Sequence, residues 1–137
     1  MDLPYNNGDT SISLSGAISA GDIGGDLTLV TEADQTISDA ITLNGSGAAL
    51  SITAEKGAIL TVQAALTTNA GAMTLTADDD VIFTAAGDLS STNGNIIVAA
   101  DYDSTSDTLS GGALTMVDGT VFNAGSGTIT ASADEDI

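Results

Sequence analysis

Apolar residues recur along this chain at a fixed spacing of 23 positions, which indicates an internal repeat. Four columns hold this offset over three successive repeats, an arrangement that is hard to obtain by chance. The columns are Leu27, Leu50, Met73 and Ile96; Leu29, Ile52, Leu75 and Val98; Leu14, Ile37, Leu60 and Phe83; and Ala20, Leu43, Leu66 and Leu89. We therefore expect each repeat to stack on the next, with equivalent residues above one another.

The spacing changes once, towards the carboxyl end, from 23 to 33 positions. The longer steps are Phe83 to Met116, Leu89 to Phe122 and Ile96 to Ile129. A step of 33 is one repeat of 23 plus ten inserted residues, so the apolar columns continue beyond an insertion. We place the insertion within residues 101–112, which read DYDSTSDTLSGG.

Within each repeat, apolar residues alternate with Thr or Ser, as in Leu-Thr-Leu at 27–29 and Met-Thr-Leu at 73–75. This alternation is typical of strands, and the Gly, Asn and Asp residues between them favour turns. Short strands at a fixed period predict an all-β fold, a right-handed parallel β-helix (β-solenoid) with coils of about 23 residues. A seven-stranded sandwich has turns at a similar spacing, but it does not predict the columns.

The repeat divides a single β-solenoid domain, residues 1–137, into successive coils. Their predicted bounds are a partial coil at 1–26, full coils at 27–49, 50–72, 73–95 and 96–128 with the insertion at 101–112, and a partial coil at 129–137. The strand pattern continues to both ends without a capping helix. Because unpaired strand edges recruit other strands, we expect either a piece of a longer rod or self-association, head to tail or through an exposed strand.

Charge narrows the set of partners. Acidic residues outnumber basic ones 19 to 1, giving a net charge of −18, and 42% of the residues are hydrophobic, enough for a folded chain. Nucleic acid and anionic membranes require Lys and Arg, so neither is an expected partner. No apolar stretch approaches the length of a membrane span. The absence of cysteine fits a secreted protein, although cytosolic proteins can lack cysteine as well. Adaptation to high salt is an alternative explanation of the acidity.

Catalysis is not expected from this composition. The chain has no histidine, arginine or cysteine, which leaves carboxylates as the main candidates for acid–base chemistry. Some parallel β-helices hydrolyse polysaccharides, and Asp80 with Asp103 could form a carboxylate pair of the inverting type. A few coils with one short insertion provide little wall for a substrate cleft, so we expect a protein that is not an enzyme.

Several segments resemble the repeats of filamentous-haemagglutinin-type exoproteins, the giant adhesins of bacterial two-partner secretion. They include GDLTLVTEADQTI, AMTLTADDDVIF, STNGNIIVAAD and GSGTITASADEDI. The resemblance covers nearly the whole chain from about Gly8 and implies an interior β-helix segment that is secreted or held at the bacterial cell surface. It implies a rigid stalk, and the uncapped ends of the chain add a self-associating scaffold to this expectation. The alternative is a calcium- or glycan-binding module that uses the 101–112 insertion and the acidic turns to recognise a host glycan or protein.

Three consecutive aspartates, Asp78, Asp79 and Asp80, lie between two strand-like stretches. Equivalent positions carry EAD, EKG and ADED, so the segment is first of all a turn, where Asp can accept backbone N–H bonds. Adjacent acidic turns would also form a ladder whose mutual repulsion Ca²⁺ could relieve. The calcium-binding nonapeptide of other solenoids is absent from the sequence.

The insertion contains a second group of candidate ligands, Asp101, Asp103 and Asp107. Their spacing matches positions one, three and seven of an EF-hand loop, but Ser106 and Gly112 replace the required glycine and acid. An EF-hand is thus excluded, leaving a loose calcium site or a simple loop. Because loops on rigid scaffolds often carry binding residues, Tyr102 is the candidate ligand contact.

Overall fold

The computed structural model describes residues 24–102 and 111–137, and in these ranges the chain is built of strands without a helix. The predicted β-solenoid with coils of about 23 residues is confirmed. The strands are β1 (Leu27–Thr31), β2 (Gln35–Ile37), β3 (Ile41–Leu43), β4 (Leu50–Ala54), β5 (Leu60–Val62), β6 (Leu66–Thr68), β7 (Met73–Ala77), β8 (Val81–Phe83), β9 (Leu89–Ser91), β10 (Ile96–Ala100), β11 (Leu114–Met116), β12 (Phe122–Asn123) and β13 (Ile129–Ser132). The described ranges hold no helix of the length and apolar character that a membrane crossing needs.

Three parallel sheets form the walls of the solenoid. Sheet 1 has the order β1-β4-β7-β10-β13, sheet 2 the order β11-β8-β5-β2, and sheet 3 the order β12-β9-β6-β3. Neighbouring strands in every sheet are therefore one coil apart in the sequence. Each predicted full coil contributes one strand to each sheet, and β13 starts another coil.

The first two predicted columns are confirmed in sheet 1. Leu27 pairs with Leu50, Leu50 with Met73, and Met73 with Ile96, while the column that starts at Leu29 follows the same register. The 33-residue step is confirmed in all three sheets. The pairs that show it are Ile96 with Ile129, Phe83 with Met116, and Leu89 with Phe122.

The other two columns were wrong by two residues, and their first members, Leu14 and Ala20, lie outside the described residues. Ile37 pairs with Val62 instead of Leu60, and Leu43 pairs with Thr68 instead of Leu66. Leu60 then pairs with Val81 instead of Phe83, whereas the step from Leu66 to Leu89 is confirmed. The cause is the turn at residues 55–59, which has two residues more than the corresponding turns at 32–34 and 78–80. A shift of two preserves the alternation of inward and outward side chains, so the apolar pattern concealed it.

The core is a narrow column of inward-facing aliphatic side chains. Leu50, Ile52, Leu75 and Ile96 are buried, and Phe83 is the largest fully buried side chain. Phe122 packs edge-on against Phe83, with 4.8 Å between the ring centroids. Outward positions carry mostly Thr and Ser, and the Thr76 hydroxyl donates to that of Thr53 at 3.0 Å.

The turns that join sheet 3 to sheet 1 are packed tightly, and we call them the glycine corner. They comprise residues 44–49, 69–72, 92–95 and 124–128. A methyl group at Gly71 would collide with the carbonyl oxygen of Ala48, and one at Gly94 with that of Gly71. The Ser91 hydroxyl donates to the Gly71 carbonyl at 3.0 Å and accepts from the Gly94 N–H at 2.8 Å. Small side chains are therefore required by contact with the coil below.

Candidate functional site: the acidic corner

The turns that lead from sheet 1 to sheet 2 concentrate the charge of the molecule. We call this edge the acidic corner; it comprises residues 32–34, 55–59, 78–80, 101–113 and 134–136. Of the 14 acidic residues that the structure describes, ten lie on it. They are Glu32, Asp34, Glu55, Asp78, Asp79, Asp80, Asp101, Asp134, Glu135 and Asp136. The edge thus forms a continuous acidic stripe along the stacked coils.

Several of these carboxylates hold one coil to the next. The Asp34 carboxylate accepts the Ile59 N–H at 3.0 Å, and the Asp80 carboxylate accepts the Ala113 N–H at 2.8 Å. In each pair the two residues immediately precede neighbouring strands of sheet 2. The side chain therefore extends the ladder of backbone hydrogen bonds by one rung beyond the start of the strand.

The same arrangement occurs outside the acidic corner, wherever Asp or Asn precedes a strand. Asp26 accepts the Ala49 N–H at 2.8 Å, and Asp88 accepts the Val121 N–H at 2.9 Å. Asn95 accepts the Thr128 N–H at 3.0 Å, which shows that a neutral amide oxygen serves equally well. The sequence carried a signal for these links, namely Asp or Asn directly before the first residue of a strand.

Asp78, the first of the three consecutive aspartates, bonds to the preceding coil, whereas Asp80 bonds to the next one. Its carboxylate accepts the N–H of Gly57 in the preceding coil at 2.8 Å, while its own N–H donates to the carbonyl of Ala54. Asp78 and Asp80 thus tie their turn to the coils on both sides. This arrangement supports the interpretation of the segment as a turn.

Lys56 provides the positive charge on the acidic corner. Its ammonium group forms an ion pair with Glu32, one coil away, and its backbone has a φ of +62°, followed by +73° at Gly57. The lysine is largely exposed, so the pair contributes little to stability. Its role is to reduce repulsion within the stripe locally.

The structure describes only some of the residues that were predicted to bind calcium. Asp78, Asp79, Asp80 and Asp101 are described, whereas Asp103 and Asp107 lie outside the described residues. Within 24–102 and 111–137, no three acidic side chains converge closely enough to hold a metal ion. Calcium binding by Asp78, Asp79, Asp80, Asp101, Asp103 and Asp107 stays a prediction.

The insertion itself lies on the acidic corner. Ala100 pairs with Ala77 and Leu114 with Val81, so ten additional residues fall between them, as predicted. Asp101 adopts a φ of +51° and donates its N–H to the Asp79 carbonyl at 3.2 Å. Tyr102 donates its N–H to the Ala77 carbonyl, and its side chain is 43% exposed. The tyrosine is thus accessible to a ligand, and its role as a contact stays a prediction.

No protein-family model, curated protein or solved structure matches this chain.

Proposed function

We propose that this chain is a structural repeat segment of a secreted bacterial surface adhesin or extracellular filament protein, acting as a rigid stalk or self-associating scaffold. The observation that carries the proposal is the unbroken parallel pairing from β1 to β13. Such a stack has the one-dimensional construction of a spacer, in which each coil contacts only its neighbours.

The hydrogen bonding of the acidic corner supports a role without catalysis. Asp34, Asp78 and Asp80 direct carboxylate oxygens at backbone N–H groups of adjacent coils, where they stabilise the stack. Glu32 also links two coils, through its ion pair with Lys56. The secreted or surface-held setting is proposed on the resemblance of the repeats to those of haemagglutinin-type exoproteins.

Removing one coil tests the spacer role. Deletion of residues 73–95 joins Ala72 to Ile96, which then takes the place of Met73 above β4. We expect a folded protein that unfolds cooperatively and is shorter by one strand spacing, about 4.8 Å, in small-angle X-ray scattering. The matched control deletes residues 74–95, one residue fewer.

In the control, Ile96 would follow Met73, so either the inward side chains of β10 face solvent or the tight turn before β10 takes one more residue. It should therefore be less stable than the deletion of 73–95. Equal stability of the two deletions would contradict the stacked-coil spacer. Immunolabelling of intact cells of the source bacterium would test the surface location, and labelling only after lysis would count against it.

A second candidate function is a calcium- or glycan-binding module that uses the insertion at 101–112. The ten-residue extension of an otherwise short acidic turn and the exposed Tyr102 favour it. Thermal unfolding in millimolar Ca²⁺, compared with NaCl of equal ionic strength, separates a calcium site from a general response to salt. A Ca²⁺-specific increase that is lost on Asp103→Asn would support the site, whereas equal increases in both salts would indicate adaptation to high salt.

A further inference from the structure

The described part of the glycine corner contains two Asn–Gly pairs, Asn44–Gly45 and Asn93–Gly94. In such a pair the backbone nitrogen of the glycine can attack the side-chain amide carbon of the asparagine, because glycine has no side chain to hinder the approach. A carbon–nitrogen bond forms, a cyclic succinimide results, and the side-chain nitrogen leaves as ammonia with the proton of the glycine N–H. Water then opens the ring at either carbonyl, which leaves aspartate or isoaspartate.

The structure restrains both reacting groups of the second pair. The Asn93 Oδ1 atom accepts the Ser126 N–H at 3.3 Å and the Ser126 hydroxyl at 2.8 Å, so the next coil fixes the amide. The attacking nitrogen is engaged as well, because the buried Gly94 donates its N–H to the Ser91 hydroxyl at 2.8 Å. Ring closure at this pair therefore requires three hydrogen bonds to break.

The first pair lacks these restraints. Asn44 is exposed, and its backbone carbonyl accepts the Asn69 side chain at 3.2 Å, whereas its side-chain amide takes no hydrogen bond from the described residues. The Asn69 carbonyl accepts the N–H of Gly47, two residues beyond Gly45. Strand β3 also ends in Leu43, which has no acceptor atom on its side chain, whereas β9 ends in a serine.

The turn that contains Asn44 also has more conformational freedom than the turn that contains Asn93. It spans six residues, 44–49, compared with four at 92–95. It includes Gly47, which is exposed and has a φ of +79°. Because succinimide closure requires rotation of the backbone next to the asparagine, the longer and more exposed turn favours it, and water has access to the ring.

We propose that Asn44 is a site of self-modification, at which the Gly45 nitrogen displaces ammonia and hydrolysis leaves aspartate or isoaspartate. Asn93 is protected in the folded chain, because its amide and the nitrogen that follows it are both hydrogen-bonded. The reaction requires only water. It goes beyond the spacer role, since it places a slow, one-way chemical change at one defined junction of the rod.

Isoaspartate at this position would disturb the contact between coils. It routes the main chain through the former side chain and so adds a methylene group between residues 44 and 45. The backbone of Gly45 has no room for a displacement towards the preceding coil, because even a methyl group there would collide with the Gly24 carbonyl. On the other side, the bond from Gly47 to the Asn69 carbonyl joins the same turn to the next coil. We therefore expect converted chains to unfold at a lower temperature.

Peptide mapping by mass spectrometry, on the full chain incubated at mildly alkaline pH, tests the site. Because the loss of about one net hydrogen bond corresponds to about a tenfold change in rate, Asn44 should convert at least about tenfold faster than Asn93. In urea the two should convert at similar rates, since both precede glycine. No conversion of Asn44, or equal rates in the folded chain, would overturn the proposal. Asn7–Gly8 lies outside the described residues and is mapped as a separate peptide.

Variants that remove the restraints on Asn93 test the physical reason. Ser126→Ala deletes the hydroxyl that donates to the Asn93 amide oxygen, and Ser91→Ala deletes the acceptor of the following N–H. Each variant should speed the conversion of Asn93 and leave that of Asn44 unchanged. Ser126 is exposed, so its replacement should not impair folding. An unchanged rate at Asn93 in both variants would contradict protection by hydrogen bonding.

Asn44→Gln provides the matched control for the structural consequence, because glutamine closes the larger ring much more slowly. The backbone carbonyl that accepts the Asn69 side chain is retained in this variant. After incubation, the unfolding temperature of the parent chain should fall as isoaspartate accumulates, whereas that of the variant should not. Equal losses in the two chains would show that the change lies elsewhere and would contradict loosening at this junction.

Discussion

The acidic corner and the glycine corner join strands of the same solenoid under opposite constraints. The acidic corner ranges from the short turn at 78–80 to the thirteen residues at 101–113, and its side chains reach outward to adjacent coils. The glycine corner varies only from four residues, at 69–72 and 92–95, to six at 44–49, and the backbone of one coil lies against the next at Gly71. Additional chain can therefore enter the solenoid at the acidic corner, which makes that edge the place where binding functions can be added.

The largest effect that separates the two corners should come from Gly71→Ala. The new methyl group would meet the Ala48 carbonyl, so the coils must move apart, and we expect a loss of about 3 kcal/mol in the free energy of unfolding. Chemical denaturation measures it. Gly25→Ala is the control, since a methyl group there meets no atom of the described residues within 4 Å. Similar losses in both variants would refute the steric explanation.

Asp80→Ala should have the next largest effect, at the acidic corner. It removes the acceptor of the Ala113 N–H, and we expect a loss of about 2 kcal/mol in chemical denaturation. Asp80→Asn retains an acceptor oxygen, as Asn95 does for Thr128, and should be close to the parent chain. If the asparagine variant lost as much as the alanine variant, the negative charge itself would matter, which would favour a bound cation.

A smaller effect of opposite sign is expected at Ala70, in the glycine corner. Its φ of +62° is a left-handed conformation that disfavours a side chain. Ala70→Gly should raise the free energy of unfolding by about 0.5 kcal/mol, the strain relieved less the entropy cost of glycine. Ala72→Gly, nearby but without a positive φ, should lower it instead. The same sign in both variants would contradict the strain argument.

No loss of stability is expected from deleting residues 103–110. The remaining corner, residues 101–102 and 111–113, has five residues, the same length as the turn at 55–59. Because the cost of closing a loop changes slowly with its length, shortening this corner from thirteen residues to five should raise the free energy of unfolding by no more than about 0.8 kcal/mol. A large loss of stability would show that the insertion supports the fold. Loss of Ca²⁺ or glycan binding at unchanged stability would support the second candidate function.

The apolar columns predicted the solenoid because the same side chains must fill a narrow core in every coil. The Leu27 and Leu29 columns lie in sheet 1, where every step between 23-residue coils is regular, so spacing alone identified their partners. The partners of Ile37 and Leu43 were wrong because two additional residues at 55–59 shift the register without altering the alternation. Periodicity therefore predicts whether a residue faces the core or the solvent, but it does not predict which residue of the neighbouring strand it pairs with.

The sequence predicted where the acidic turns lie, but it predicted only part of the hydrogen bonding of their side chains. The turn interpretation of Asp78, Asp79 and Asp80 anticipated bonds to backbone N–H groups, but within the turn. In the structure, the carboxylates of Asp34 and Asp80 instead accept hydrogen bonds from backbone N–H groups of the next coil, 25 and 33 residues away. Side-chain reach between coils depends on the packing of neighbouring turns, which residue spacing does not contain.

The direction of the hydrogen bonds between coils has a mechanical consequence. Strand pairing and the links from Asp26, Asp34 and Asp88 all run along the axis of the rod. Tension applied to its two ends would load the interfaces in series, so that coils detach one at a time instead of shearing together. Each detached coil would release up to about 75 Å of extended chain. The chain would then extend in steps under load, as a shock-absorbing tether does.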